Sequence, residues 1–153
     1  RAWVAAQRHM GFEMDPRELD EREASVLREV TSWWKYNRHW MLAADILRLD
    51  SADPAVKAEQ QMSRDGDRFV VFVGKAATSD QIAPRPLRLT ALDEDARYKI
   101  TLMNRGTAPA LSRGMPALKE GPIEVSGAWL MHHGLTLPWN YPDTMWVLEG
   151  ERL

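Results

Sequence analysis

Apolar residues in the first third of the chain recur at helical spacing. Leu27, Val30, Trp34 and Met41 form one stripe, and Val26, Trp33 and Trp40 widen it, which predicts a helix over residues 20–42. Asp20 supplies its cap, Glu23 three residues on closes a capping box, and Glu21 adds charge that suits the first turn. Ahead of it, residues 2–9 are Ala-rich, carry Arg8 and His9 in the last turn and stop at Gly11, the pattern of a helix end. Residues 11–14 read as a short strand closed by Asp15-Pro16. A helix–strand–helix needs neighbouring strands, so residues 1–44 are expected to be the tail of a larger α/β domain.

From Ile46 the apolar period falls to two. Residues 46–49, 56–63, 69–73, 87–89, 97–103, 123–125, 135–137 and 145–148 are short apolar or alternating runs separated by turn residues. Phe69-Val-Val-Phe-Val73 is apolar throughout, as a strand buried on both faces would be, and Arg64-Asp-Gly66-Asp marks a hairpin turn before it. The Gly-, Pro- and Ala-rich residues 104–121 predict irregular structure. Many short strands at this spacing predict an antiparallel β-sandwich over residues 45–153.

Composition narrows the function classes. The chain has 153 residues, of which 44% are hydrophobic, enough for a packed core. Its 20 basic and 22 acidic residues give a net charge of -2, which offers no footprint for nucleic acid and no polybasic membrane patch. Cysteine is absent, so disulfides, thiolate metal sites and Cys nucleophiles are excluded together, and a cytoplasmic location is expected. There is no apolar run long enough to span a membrane as a helix.

The candidate chemistry is sparse. Glu13 and Asp15, two apart on the predicted strand, would share one face and could serve as the carboxyl pair of a sugar hydrolase, although Asp15 before Pro16 reads better as a turn cap. His132 and His133 are adjacent and so point apart on a strand, with no third metal ligand near; His9 suits a helix C-terminus, and His39 beside Trp40 suits a packed interface. Gly66 and Gly74 belong to a turn and a strand end rather than a phosphate loop. Ser112, Ser126 and Thr136 have no His/Asp partnership in the pattern, so no catalytic residue, metal or cofactor is expected in this chain. Among seven Trp, Trp146 sits in an apolar strand and reads as core, whereas Trp129 and the Trp139-Asn-Tyr141 segment between two prolines are candidate sugar-stacking platforms. Of these, Trp139 and Tyr141 are the substrate-binding residues expected.

The opening Arg1-Ala-x3-Ala6-x2-His9-Met-Gly11-Phe-Glu13-Met-Asp15-Pro-Arg-Glu-Leu19, with Trp34-Lys35-Tyr36 after it, resembles the C-terminal end of glycoside hydrolase family 36 α-galactosidases. Asp67-Arg-Phe-Val-Val-Phe-Val, the Leu89-x2-Leu92-Asp-x-Asp-x2-Tyr98 pattern and Ser126-Gly-Ala-Trp-Leu extend the resemblance to about residue 150. Arg8 stands where the family often has Gly, and Lys35-Tyr36 inverts its common order. The resemblance implies a (β/α)8 barrel whose two catalytic Asp residues, a nucleophile and a general acid/base, hydrolyse terminal α-galactosides with retention. Both lie on strands N-terminal to Arg1. Residues 1–44 would then be the last unit of a truncated barrel, residues 45–153 a buttressing β-sandwich, and the isolated chain inactive. The substrate would be met only through the barrel, the full-length enzyme would be a homo-oligomer, and the rival reading is a carbohydrate-binding or oligomerisation module.

Overall fold

A computed structural model describes residues 2–107 and 116–153; Ser112 and the middle of the 104–121 stretch lie outside them. The chain divides into two compact units, residues 1–44 and 45–153.

In the first unit, helix α1 spans Ala2–Ala5 and α2 spans Glu21–Met41. The Asp20 carboxylate accepts from the Glu23 amide at 2.7 Å, and the Glu23 carboxylate accepts from the Asp20 amide at 3.1 Å, the reciprocal box that the sequence predicts. Asp20→Ala is expected to remove about 1 kcal/mol of helix stability, seen as faster amide exchange over residues 21–24. Trp3 meets Trp33 edge-on with ring centroids 5.2 Å apart, and the Trp34 indole donates to the Arg8 carbonyl at 3.0 Å. These contacts fasten α1 and its exit onto α2.

The strand expected over residues 11–14 does not form. Residues 10–13 have no regular structure, and Phe12 and Met14 are about half exposed. A strand is held by hydrogen bonds to a neighbour, and no described residue of the chain pairs with this segment. Instead Asp15 caps a single 3-10 turn, Pro16–Glu18.

The second unit is one six-stranded antiparallel sheet of β1 (Asp45–Leu49), β2 (Val56–Met62), β3 (Arg68–Lys75), β4 (Arg97–Leu102), β5 (Ile123–Ser126) and β6 (Thr144–Arg152), in the order β1-β2-β3-β6-β4-β5. The expected sandwich is thereby corrected to a single sheet. Residues 87–89 and 135–137, expected as strands, meet only in an isolated bridge, Leu87 with Leu135. Pro84, Pro86 and Pro138 flank them, and proline cannot donate to a ladder. What covers the sheet is therefore an irregular layer of leucines. Leu87, Leu89, Leu92, Leu118, Leu130, Leu135 and Leu137 pack over Phe69, Val71, Val73, Tyr98, Ile100, Trp146 and Leu148. Two short helices complete this layer, α3 (Ala117–Glu120) and α4 (Gly127–His132), the latter capped by the Ser126 hydroxyl.

Strand β3 is buried on both faces, as its unbroken apolar run requires: Val70 and Phe72 are as inaccessible as Phe69 and Val71. It sits between β2 and β6, with Phe69 opposite Gly150 and Val73 opposite Trp146. The Phe69 ring lies over Gly150, where an added Cβ would fall 2.0 Å from the ring tip. Buried Gln60 on β2 clasps the covering layer, donating to the Thr90 carbonyl at 2.7 Å and accepting from the Thr90 amide at 3.2 Å. Among the described residues, no helix is long and apolar enough to cross a membrane.

Candidate functional site

Glu13 and Asp15 do not form a working carboxyl pair. With the strand absent, their two-residue spacing no longer places them on one face. Glu13 is exposed in irregular chain. The Asp15 carboxylate is committed locally: it accepts from the Arg17 amide at 2.9 Å and from the Arg17 guanidinium at 2.6 to 3.0 Å. The guanidinium first, and the amide second, hold Asp15 below its ordinary 3.8. A lowered carboxyl favours folding once it is ionised, above the unfolded-state value, and that contribution fades as pH falls through the folded value. In a carboxyl-resolved NMR titration, Asp15 is expected to protonate below the ordinary Asp range. Arg17→Gln should move its midpoint upward.

The histidines are separated rather than clustered. His132 pairs with Glu94 at 3.3 Å on the surface, while His133 stacks on Trp129 with ring centroids 6.1 Å apart. His9 and His39 are exposed, so His39 is not part of a packed interface with Trp40 within its unit. No group of three metal-ligating side chains occurs among the described residues.

Trp146 is core, its indole donating to the Pro138 carbonyl at 3.0 Å. Trp139 is half-buried, and Lys75, itself buried at the end of β3, places its ammonium 4.2 Å from the ring centroid. The same ammonium donates to the Asn140 carbonyl at 3.0 Å. Tyr141 is exposed, and its carbonyl accepts from the Thr144 hydroxyl. Beside them lies a polar cluster that sequence reasoning missed. Buried Asp53 accepts from the Ala55 amide at 2.9 Å and from the Ser79 hydroxyl at 2.5 Å, and its own amide donates to Ser51. The signal was present: Ser-x-Asp-Pro is a side-chain-bonded turn, and Lys75 closes an otherwise apolar strand. The cavity these groups line is about 40 Å³. A water needs roughly 10–15 Å³, whereas small-molecule pockets start near roughly 300 Å³. The cluster therefore pins the 138–143 loop to β3 and has room for water, not for a sugar ring.

The second unit is thus one antiparallel sheet roofed by leucine-rich loops and two short helices. The family model for the glycosyl hydrolase family 36 C-terminal domain matches residues 56–148, and the chain belongs to that family. An α-galactosidase of Escherichia coli is 27% identical over 158 residues, covering 99% of this chain and 22% of the relative. Among solved structures, a family 36 α-galactosidase of Geobacillus stearothermophilus superposes with a TM-score of 0.77 at 22% identity, over 99% of this chain and 19% of that one. The α-galactosidase of Lactobacillus brevis gives a TM-score of 0.77 at 16% identity, with the same coverage of 99% and 19%. At these identities the structures speak to fold alone. The chain spans about a fifth of the length of the relatives it matches.

Proposed function

We propose that this chain is the C-terminal portion of a retaining α-galactosidase, in which it supports a catalytic barrel without contributing a catalytic residue. The observation that carries the reading is the alignment of 99% of the chain, both units included, with an α-galactosidase at 27% identity. Residues 1–44 act as the closing unit of the barrel, and residues 45–153 as its buttress. The two carboxylates that cleave the glycosidic bond belong to the barrel, and no cofactor takes part. The commitments of Asp15 to Arg17 and of Lys75 to Trp139 and Asn140 support this division, because they occupy the groups that a sugar site here would use.

A supporting role separates stability from chemistry. In the α-galactosidase that carries this chain, core substitutions on β3 should lower the melting temperature and the folded yield. KM, and kcat per folded molecule, should stay as they were. A β3 core variant that folds fully yet loses kcat would overturn the supporting role.

A further inference from the structure

We propose that the Asp65–Gly66 peptide bond is a site of spontaneous backbone isomerisation, which the Ser63 hydroxyl restrains in the folded chain. The dipeptide lies in the turn from β2 to β3, beyond the last ladder pair, Met62 with Phe69. Asp65 is exposed, and the space beside Gly66 is open, with nothing within 4 Å of an added Cβ. Gly66 has φ +77, a conformation that side chains rarely adopt, so the turn favours glycine there. The fold thereby keeps, next to an exposed carboxyl, the residue that shields its own amide nitrogen least.

The reaction needs no co-reactant besides water. The Gly66 amide nitrogen adds to the Asp65 side-chain carboxyl carbon and gives up its proton, and the carboxyl hydroxyl leaves as water. A five-membered succinimide results. Water then opens it at either carbonyl, giving back aspartate or giving isoaspartate, in which the main chain runs through Cβ. The protonated carboxyl is the reactive form, because only it carries a hydroxyl that can leave.

Both reacting groups are occupied in the folded turn. The Gly66 amide donates to the Ser63 carbonyl at 2.9 Å. The Asp65 carboxylate accepts from the Ser63 hydroxyl at 2.5 Å and from the Asp67 amide at 3.1 Å. The hydroxyl first, and the amide second, hold Asp65 below its ordinary 3.8, in the unreactive ionised form. The Arg68 guanidinium adds a smaller pull in the same direction, and Asp67 pairs with Arg152 at 3.9 Å. Ser63 is itself buried and fixed: its amide donates to the Arg68 carbonyl at 2.8 Å, and its hydroxyl accepts from the Arg68 amide at 2.9 Å. One residue thus grips nucleophile and electrophile together.

The test is incubation of the full chain in heavy-oxygen water at neutral pH, followed by peptide mapping. Each passage through the succinimide leaves a heavy oxygen on residue 65, and electron-transfer fragmentation separates isoaspartate from aspartate. Label and isoaspartate are expected at Asp65 ahead of the other aspartates, slowly in the folded chain and faster in urea. Asp65→Glu, which can close only a larger and slower-forming ring, should lose the label. Ser63→Ala should speed labelling about tenfold, the worth of one hydrogen bond to an ionised group. It should also move the pH midpoint of the rate upward, whereas a merely loosened hairpin would gain equally at every pH. No label at Asp65 in urea, Ser63→Ala labelling at the parent rate, or an unmoved pH midpoint would each overturn the proposal.

Discussion

Phe69→Ala is expected to destabilise the sheet unit by about 3–5 kcal/mol, the range for deleting a buried phenyl ring. Phe69 has no accessible surface, its ring is 5.7 Å from that of Tyr98, and it fills the space above Gly150. Gly150 has no side chain to collapse into the void, so the cavity would remain. β3 is bonded to β2 and β6, and losing its first core contact weakens the junction between the β1–β2–β3 meander and the β4–β5 pair. Urea unfolding followed by far-ultraviolet circular dichroism should show a lower midpoint. Phe69→Leu, which keeps most of the volume, should recover about half or more of the loss. Equal losses for both substitutions would mean that cavity size does not govern this site.

Gly127→Ala is the second large effect, expected at about 3 kcal/mol. A Cβ at Gly127 would fall 1.9 Å from the Asp93 carbonyl oxygen and 2.8 Å from its carbon, with the Tyr98 ring at 3.2 Å. Backbone is a poor neighbour to push. The 93–96 turn is tied to the start of α4 by the Gly127 amide on the Ala96 carbonyl at 2.9 Å and the Ala128 amide on the Glu94 carbonyl at 3.1 Å. The Tyr98 hydroxyl also accepts from the Asp93 amide at 3.1 Å, so retreat of the turn costs a third bond. Gly11→Ala, with nothing within 4 Å of the added carbon, is the control and should shift the urea midpoint little. A Gly127→Ala protein as stable as the parent would mean that the turn yields without breaking these bonds.

The features legible in the sequence are those that local chemistry determines. Asp20 and Glu23 announced the start of α2 because a capping box needs only neighbours in sequence. The run from Phe69 to Val73 announced a doubly buried strand, and Trp146 announced core, because burial follows composition at those positions. The resemblance to family 36 also rested on short contiguous motifs, and the family match bears it out. What was not legible depends on partners far along the chain. Residues 11–14 have strand-like composition, but no strand among the described residues bonds with them. Residues 87–89 and 135–137 alternate like strands, yet prolines hold them to one bridge, and a roof of leucines suffices where a second sheet was expected. The insertion of β6 between β3 and β4 has no local signature at all. The same is true of Trp139, which meets Lys75 only because the loop folds back onto the end of β3.

Hydrolysis of an aryl α-galactoside tests the central claim most directly, measured for residues 1–153 alone and for the α-galactosidase of which they are proposed to be the C-terminal portion. The supporting-domain account predicts no turnover by the chain alone, although it is folded by circular dichroism, and retaining hydrolysis by that enzyme. Saturable turnover by the isolated chain would contradict it.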